Sequence, residues 1–177
     1  AGGLPETFTL SLPRAQALRY GENPHQQAAL YGDFGRHFQQ LHGKELSYNN
    51  ILDLTAAAEL VGEFDDPTVA IIKHTNPCGL ASHQHLAEAY RRAYAGDTVA
   101  AFGGIVALNR PVDLATAREI EKTFYEVIIA PHYEANALEL LKGKRDLRIL
   151  AIGSGKDGAV KEAPSILDFR KVGGGFL

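Results

Sequence analysis

The segment IIKHTNPCGLA, residues 71–81, places two titratable side chains, Lys73 and His74, where a buried apolar run stops. A neutral imidazole accepts a proton from a nucleophile near pH 7 and returns it to a leaving group. An ammonium beside it disfavours the imidazolium and stabilises negative charge developing on an acyl oxygen. Together the two suit acyl transfer to a weakly basic amine. Neighbouring side chains on a continuing strand point to opposite faces, so cooperation requires a bend directly after Lys73. Pro77 biases Asn76 away from helical angles, and Gly79 can take positive φ, so such a bend is permitted but not required. The bland alternative is a solvated strand end beside a hydrogen-bonded loop histidine.

Other candidates are weaker. Cys78, read as preceding a helix start, could pair with His74 as a thiol nucleophile; a small half-buried turn residue is the simpler reading. The zinc deaminase pattern, H-x-E followed by P-C-x-x-C, fails here: Ala81 stands where the second cysteine belongs, and no histidine ahead of the Pro77-Cys78 pair precedes a glutamate by two. His83 and His85 are expected in the solvated first turn of a helix capped by Ser82. Gly103-Gly104 lacks the third glycine of a dinucleotide fingerprint and suits either a close ligand approach or a bulge. Arg19-Tyr20 could grip an anion, with the guanidinium supplying a fork of donors and the phenol one more. Asn23 and His25 flank Pro24 and are expected to shape a turn.

The elements that must position these residues follow from periodicity. Residues 1–48, rich in Gly, Pro, Gln and His, read as an N-terminal arm with a turn at Gly21–Pro24. Residues 49–177 read as an α/β lobe. A helix capped by Asn49 or Asn50 carries Leu54, Ala57, Ala58, Val61 and Phe64 at helical spacing. TVAII (68–72) is a strand buried on both faces. A helix over 82–95, a strand at TVAAF (98–102), a strand at IVAL (105–108), a helix capped by Asp113, a strand at EVIIAP, a helix at EANALELLKGK and a strand at LRILAIG complete the alternation. ILDFRKV is a candidate last strand before the glycine-rich end. Such alternation implies right-handed crossovers and a mainly parallel or mixed sheet with helices on its faces. Composition agrees with a soluble globular domain: 45% hydrophobic, 22% charged, net charge −3. That charge points to neither nucleic acid nor an anionic membrane surface. The one cysteine excludes an internal disulfide and fits a reducing, cytoplasmic setting. Methionine is absent, which suits either a processed start or a piece of a longer chain.

Taken together, LRYGENPHQ, GKELSYNNILD, IIKHTNPCGLA, AFGGIVALN and EVIIAP, in this order, closely resemble the formyltransferase region of the bifunctional purine biosynthesis enzymes. In these, aminoimidazole carboxamide ribonucleotide (AICAR) transformylase is fused to inosine monophosphate (IMP) cyclohydrolase. The resemblance runs from about Leu18 to Gly153, with DFRKVGGGFL similar to the family's next motif. It implies formyl transfer from the co-substrate 10-formyltetrahydrofolate to the 5-amino group of AICAR, with no metal. The family's catalytic Lys-His falls on Lys73 and His74, and its Arg-Tyr substrate contact on Arg19 and Tyr20. Asn76, Gly103 and Gly104 fall among its substrate-lining positions. The implied fold is a three-layer α/β/α arrangement resembling cytidine deaminase. The family's transformylase portion is about twice this length, with a site between two lobes of a homodimer. This chain is therefore expected to be the first lobe, inactive without the second lobe, and to lack the cyclohydrolase domain. The alternative is a stand-alone lobe that binds nucleotide or folate without catalysis.

Overall fold

A computed structural model describes residues 6–153 and 171–176. The N-terminal stretch forms a hairpin of β1 (Arg14–Leu18) and β2 (Ala28–Tyr31). A single helical turn, α1 (Phe34–His37), leads into β3 (Phe38–His42), which enters the main sheet antiparallel to β8 (Arg148–Ile152). Residues 1–48 thus contribute a sheet strand as well as a hairpin.

Six strands make up that sheet, in the order β3, β8, β7 (Val127–Ala130), β6 (Ile105–Leu108), β4 (Thr68–Lys73), β5 (Asn76–Ser82). It is mixed. β6, β7 and β8 run parallel, joined through α4 (Leu114–Ile120) and α5 (Ala135–Lys142), while β4 is antiparallel to β6 and forms a hairpin with β5. Alternate side chains feed two cores, as the period of two requires. Val69, Ile71, Val106, Leu108, Ile128 and Ile149 pack under α3 (Leu86–Gly96), α4 and α5. Ala70, Ile72, Ile105, Val127, Ile129 and Leu150 pack under α2 (Tyr48–Gly62). The result is the expected three-layer α/β/α arrangement. No helix among the described residues is long and apolar enough to cross a membrane.

Several local expectations are corrected. α2 is capped by Ser47, not Asn49 or Asn50: Ser47 Oγ accepts from Asn50 N and Asn50 Oδ1 accepts from Ser47 N, a closed capping box. TVAAF is a turn rather than a strand, because Asp97 Oδ1 accepts from both Val99 N (3.1 Å) and Ala100 N (2.8 Å) and curls the chain. α3 starts after His85, and Ser82 instead shares a 2.7 Å hydroxyl–hydroxyl bond with Thr68 at the far end of the hairpin. Gly79 does not have a positive φ. A Cβ there would lie 1.9 Å from the Ala93 carbonyl oxygen, so glycine is required by the close crossing of α3 over β5. Asp113 caps α4 as expected, accepting from Thr116 N at 2.7 Å. Of the proposed final strand, residues 166–170 lie outside the described residues; β9 (Lys171–Val172) pairs with β10 (Gly175–Phe176) in a short hairpin.

Candidate functional site

β4 carries its apolar residues into the sheet centre and delivers Lys73 at the rim, half-buried. The chain then reverses in two residues, His74 and Thr75, between the paired Lys73 and Asn76. Both adopt left-handed backbone, φ 53° and 58°. A two-residue hairpin turn of this kind favours Asn-Gly, since glycine bears positive φ freely. A histidine followed by a β-branched threonine is strained there, by about 1–3 kcal/mol per residue. Such strain persists only where the surroundings hold it.

Three side chains hold it. Asp53, on α2, accepts from His74 N through Oδ2 (3.2 Å) and from Thr75 N through Oδ1 (2.8 Å). The Thr75 hydroxyl and Asn76 Nδ2 each donate to the His74 carbonyl at 2.7 Å. The imidazole belongs to an exposed residue. Lys73 Nζ donates to the Phe102 carbonyl at 2.8 Å, which ties the ammonium to the loop holding Gly103 and Gly104. Gly103 has φ 75° and donates its N–H to the Phe124 carbonyl at 2.9 Å. A Cβ on Gly104 would stand 2.8 Å from the Ile72 carbonyl oxygen, so that loop presses on the last turn-ward residues of β4. The Phe102 and Phe124 rings meet at 5.3 Å, and both residues are exposed.

The structure therefore ties Lys73 to the loop that holds Phe102, Gly103 and Gly104, and ties the His74–Thr75 turn to Asp53 and Asn76. Arg19 and Tyr20 follow β1, with the guanidinium 5.9 Å from the centre of the Tyr20 ring. Arg19 also lines a shallow hollow of ≈ 430 Å³ with Arg14, Leu18 and Tyr31. Among the described residues no hydrogen bond or ion pair joins Arg19 or Tyr20 to Lys73, His74 or Asn76. The loop after them does reach α2: the Glu22 carbonyl lies 3.5 Å from Asn49 Nδ2. Asn49 and Asp53 are four apart and share a helix face, so this loop and the His74 turn meet the same face of α2.

Cys78 lies within β5, eight residues before α3, and burial pushes its thiol up, with Asp97 adding to the rise. A raised thiol is a poor nucleophile near neutrality, which removes the support for a Cys78–His74 pair. Sequence reasoning misses Asp53. Its only signal there is an acid flanked by two leucines in an otherwise apolar stretch of helix.

A family model described as the AICARFT/IMPCHase bienzyme matches residues 2–177. The bifunctional purine biosynthesis protein PurH of Ruminiclostridium cellulolyticum is 48% identical over 179 residues, which is 98% of this chain and 34% of that protein. The protein of the same name from Chloroflexus aurantiacus is 57% identical over 150 residues, 83% of this chain and 29% of that protein. The chain spans about a third of the length of the curated relatives it matches. With its three-layer fold and the motifs at the β4 rim, the chain belongs to the AICARFT/IMPCHase bienzyme family.

Proposed function

We propose that the rim formed by the β4–β5 turn and the Phe102–Gly104 loop is the formyl-transfer centre of a bifunctional purine biosynthesis enzyme. The observation that carries this reading is the strained, held turn that exposes His74 while the Lys73 ammonium is fixed on the adjacent loop. In the proposed reaction the 5-amino nitrogen of AICAR attacks the formyl carbon of 10-formyltetrahydrofolate, and the bond from that carbon to N10 breaks. The amine's lone pair is delocalised into its ring and carboxamide, so it needs a base as it attacks. His74 takes the amine proton and returns it to N10. The Lys73 ammonium supports the negative charge that builds on the formyl oxygen. Arg19, Tyr20, Asn76, Gly103 and Gly104 serve the nucleotide. Turnover requires the second lobe and the homodimer, and the cyclohydrolase domain then closes the purine ring. The single cysteine supports a cytoplasmic setting.

The test is His74→Ala in the full-length protein. Formyl transfer should fall about 10²–10⁴-fold, the usual worth of a general base, with AICAR binding retained by calorimetry. Near-normal turnover overturns the reading.

A further inference from the structure

We infer that Asp53 is a positioning residue for His74, acting as a clamp that keeps the His74–Thr75 turn in its left-handed form. This inference rests on the proposed role of His74. The geometry is specific: each carboxylate oxygen takes one of two successive backbone N–H groups, at 3.2 and 2.8 Å. Successive N–H groups in a turn form a small anion-binding concavity, and here the anion is a side chain from 21 residues upstream. Bonds from N–H to an ionised acceptor are stronger than neutral ones. Asp53 has no Lys, Arg or His side-chain partner among the described residues, so its charge is committed to the turn.

The anchor is rigid. Leu54, the next residue on α2, is fully buried in the core beneath the sheet. Asp53 therefore references the turn to the helix layer, whereas the bonds from Thr75 and Asn76 to the His74 carbonyl are internal to the hairpin. Without the clamp, a histidine and a threonine would relax towards negative φ, carrying the imidazole away from its working place. A displacement of about 1 Å at a reacting group can cost 10²-fold in rate.

The experiment uses the full-length protein carrying Asp53→Ala, Asp53→Asn, and Asp53→Ala combined with Thr75→Gly. Asp53→Ala should lower kcat for formyl transfer about 10²-fold with little change in KM, and should abolish hydrogen-exchange protection of the His74 and Thr75 amides. Asp53→Asn keeps one acceptor oxygen and turns an NH₂ donor towards the other amide, so kcat should fall there too. Thr75→Gly accepts positive φ freely and should restore part of the kcat lost by Asp53→Ala, which a general folding defect would not allow. Wild-type kcat in Asp53→Ala, retained amide protection, or a loss that Thr75→Gly leaves untouched would each overturn the clamp. Since amide protection is read independently of turnover, failure of the His74→Ala test leaves the clamp separately decided.

Discussion

The thiol of Cys78 stands four positions beyond the His74 imidazole, but β5 carries it back along β4 and packs it against the core beneath α3. Desolvation then opposes its ionisation, and Asp97 opposes it further. Below its raised pKa the thiol holds its proton, so the reactive thiolate fraction is small at pH 7 and grows only as pH climbs beyond the ordinary cysteine range. Alkylation by iodoacetamide should accordingly be slow at pH 7 and keep accelerating above pH ~9. Complete alkylation within minutes at neutral pH would contradict this. Cys78→Ala in the full-length protein should transfer formyl groups at the normal rate. Two candidates that lie close in sequence are thus told apart by burial: His74 is exposed and Cys78 is half-covered.

At the scale of elements, the hairpin that presents His74 is backed by α3, and the contact depends on one hydrogen atom at Gly79. An added methyl would sit 1.9 Å from the Ala93 carbonyl oxygen and 2.8 Å from its carbon, both backbone atoms that cannot swing aside. Gly79→Ala should therefore destabilise the chain by about 1–3 kcal/mol, a fall in Tm of roughly 2–12 °C for a domain of this size; an unchanged Tm would show that α3 yields freely. The same crossing explains what the sequence hides. β4, β6, β7 and β8 are legible because each is a short apolar run, and α2, α4 and α5 because their apolar residues recur at helical spacing. β5 is not, since Pro77 and Gly79 argue against a strand interior. Its place at the sheet edge, with a register shift opposite Ile71 and Ile72, is where proline is tolerated. The polar segment FQQLH escapes for the same reason, being the opposite edge strand. TVAAF reads as a strand from its apolar composition, while the Asp97 side chain that curls it acts locally and carries no periodic signal. The bend after Lys73 is legible from Pro77; Asp53 is not, because a helix-to-turn bond across 21 residues leaves no trace in spacing.

The whole molecule is closed by polar groups that the two apolar cores bury. Asn109, fully buried, accepts from Thr68 N and donates to the Phe64 and Asp66 carbonyls, locking the end of α2 to the start of β4. On the opposite face the Tyr90 and Tyr125 hydroxyls meet at 2.9 Å, and the Tyr133 hydroxyl lies 2.8 Å from the Leu150 carbonyl oxygen and 3.2 Å from that of Ile128. Burial raises the ionisation of all three phenols above the ordinary tyrosine value. In the unfolded chain they would ionise near pH 10. Above that pH the unfolded state holds fewer protons than the native one, so stability falls as pH rises, by up to about 1.4 kcal/mol per pH unit for each phenol. Below pH ~10 the three contribute no slope. A spectrophotometric titration of the 177-residue chain, followed together with far-UV circular dichroism, should therefore find three of its seven tyrosines silent until the helical signal collapses. The collapse should be cooperative, because α3, the loop before β7 and the β7–β8 pair share these hydroxyls and no one of them can ionise without opening the layer. Tyr133→Phe removes one titrating group and should make the alkaline loss of stability shallower by about one proton's worth. Phenolate absorbance from all seven tyrosines while the circular dichroism remains native would mean that this face admits water, and that the helix layer supporting the β4–β5 hairpin is not closed.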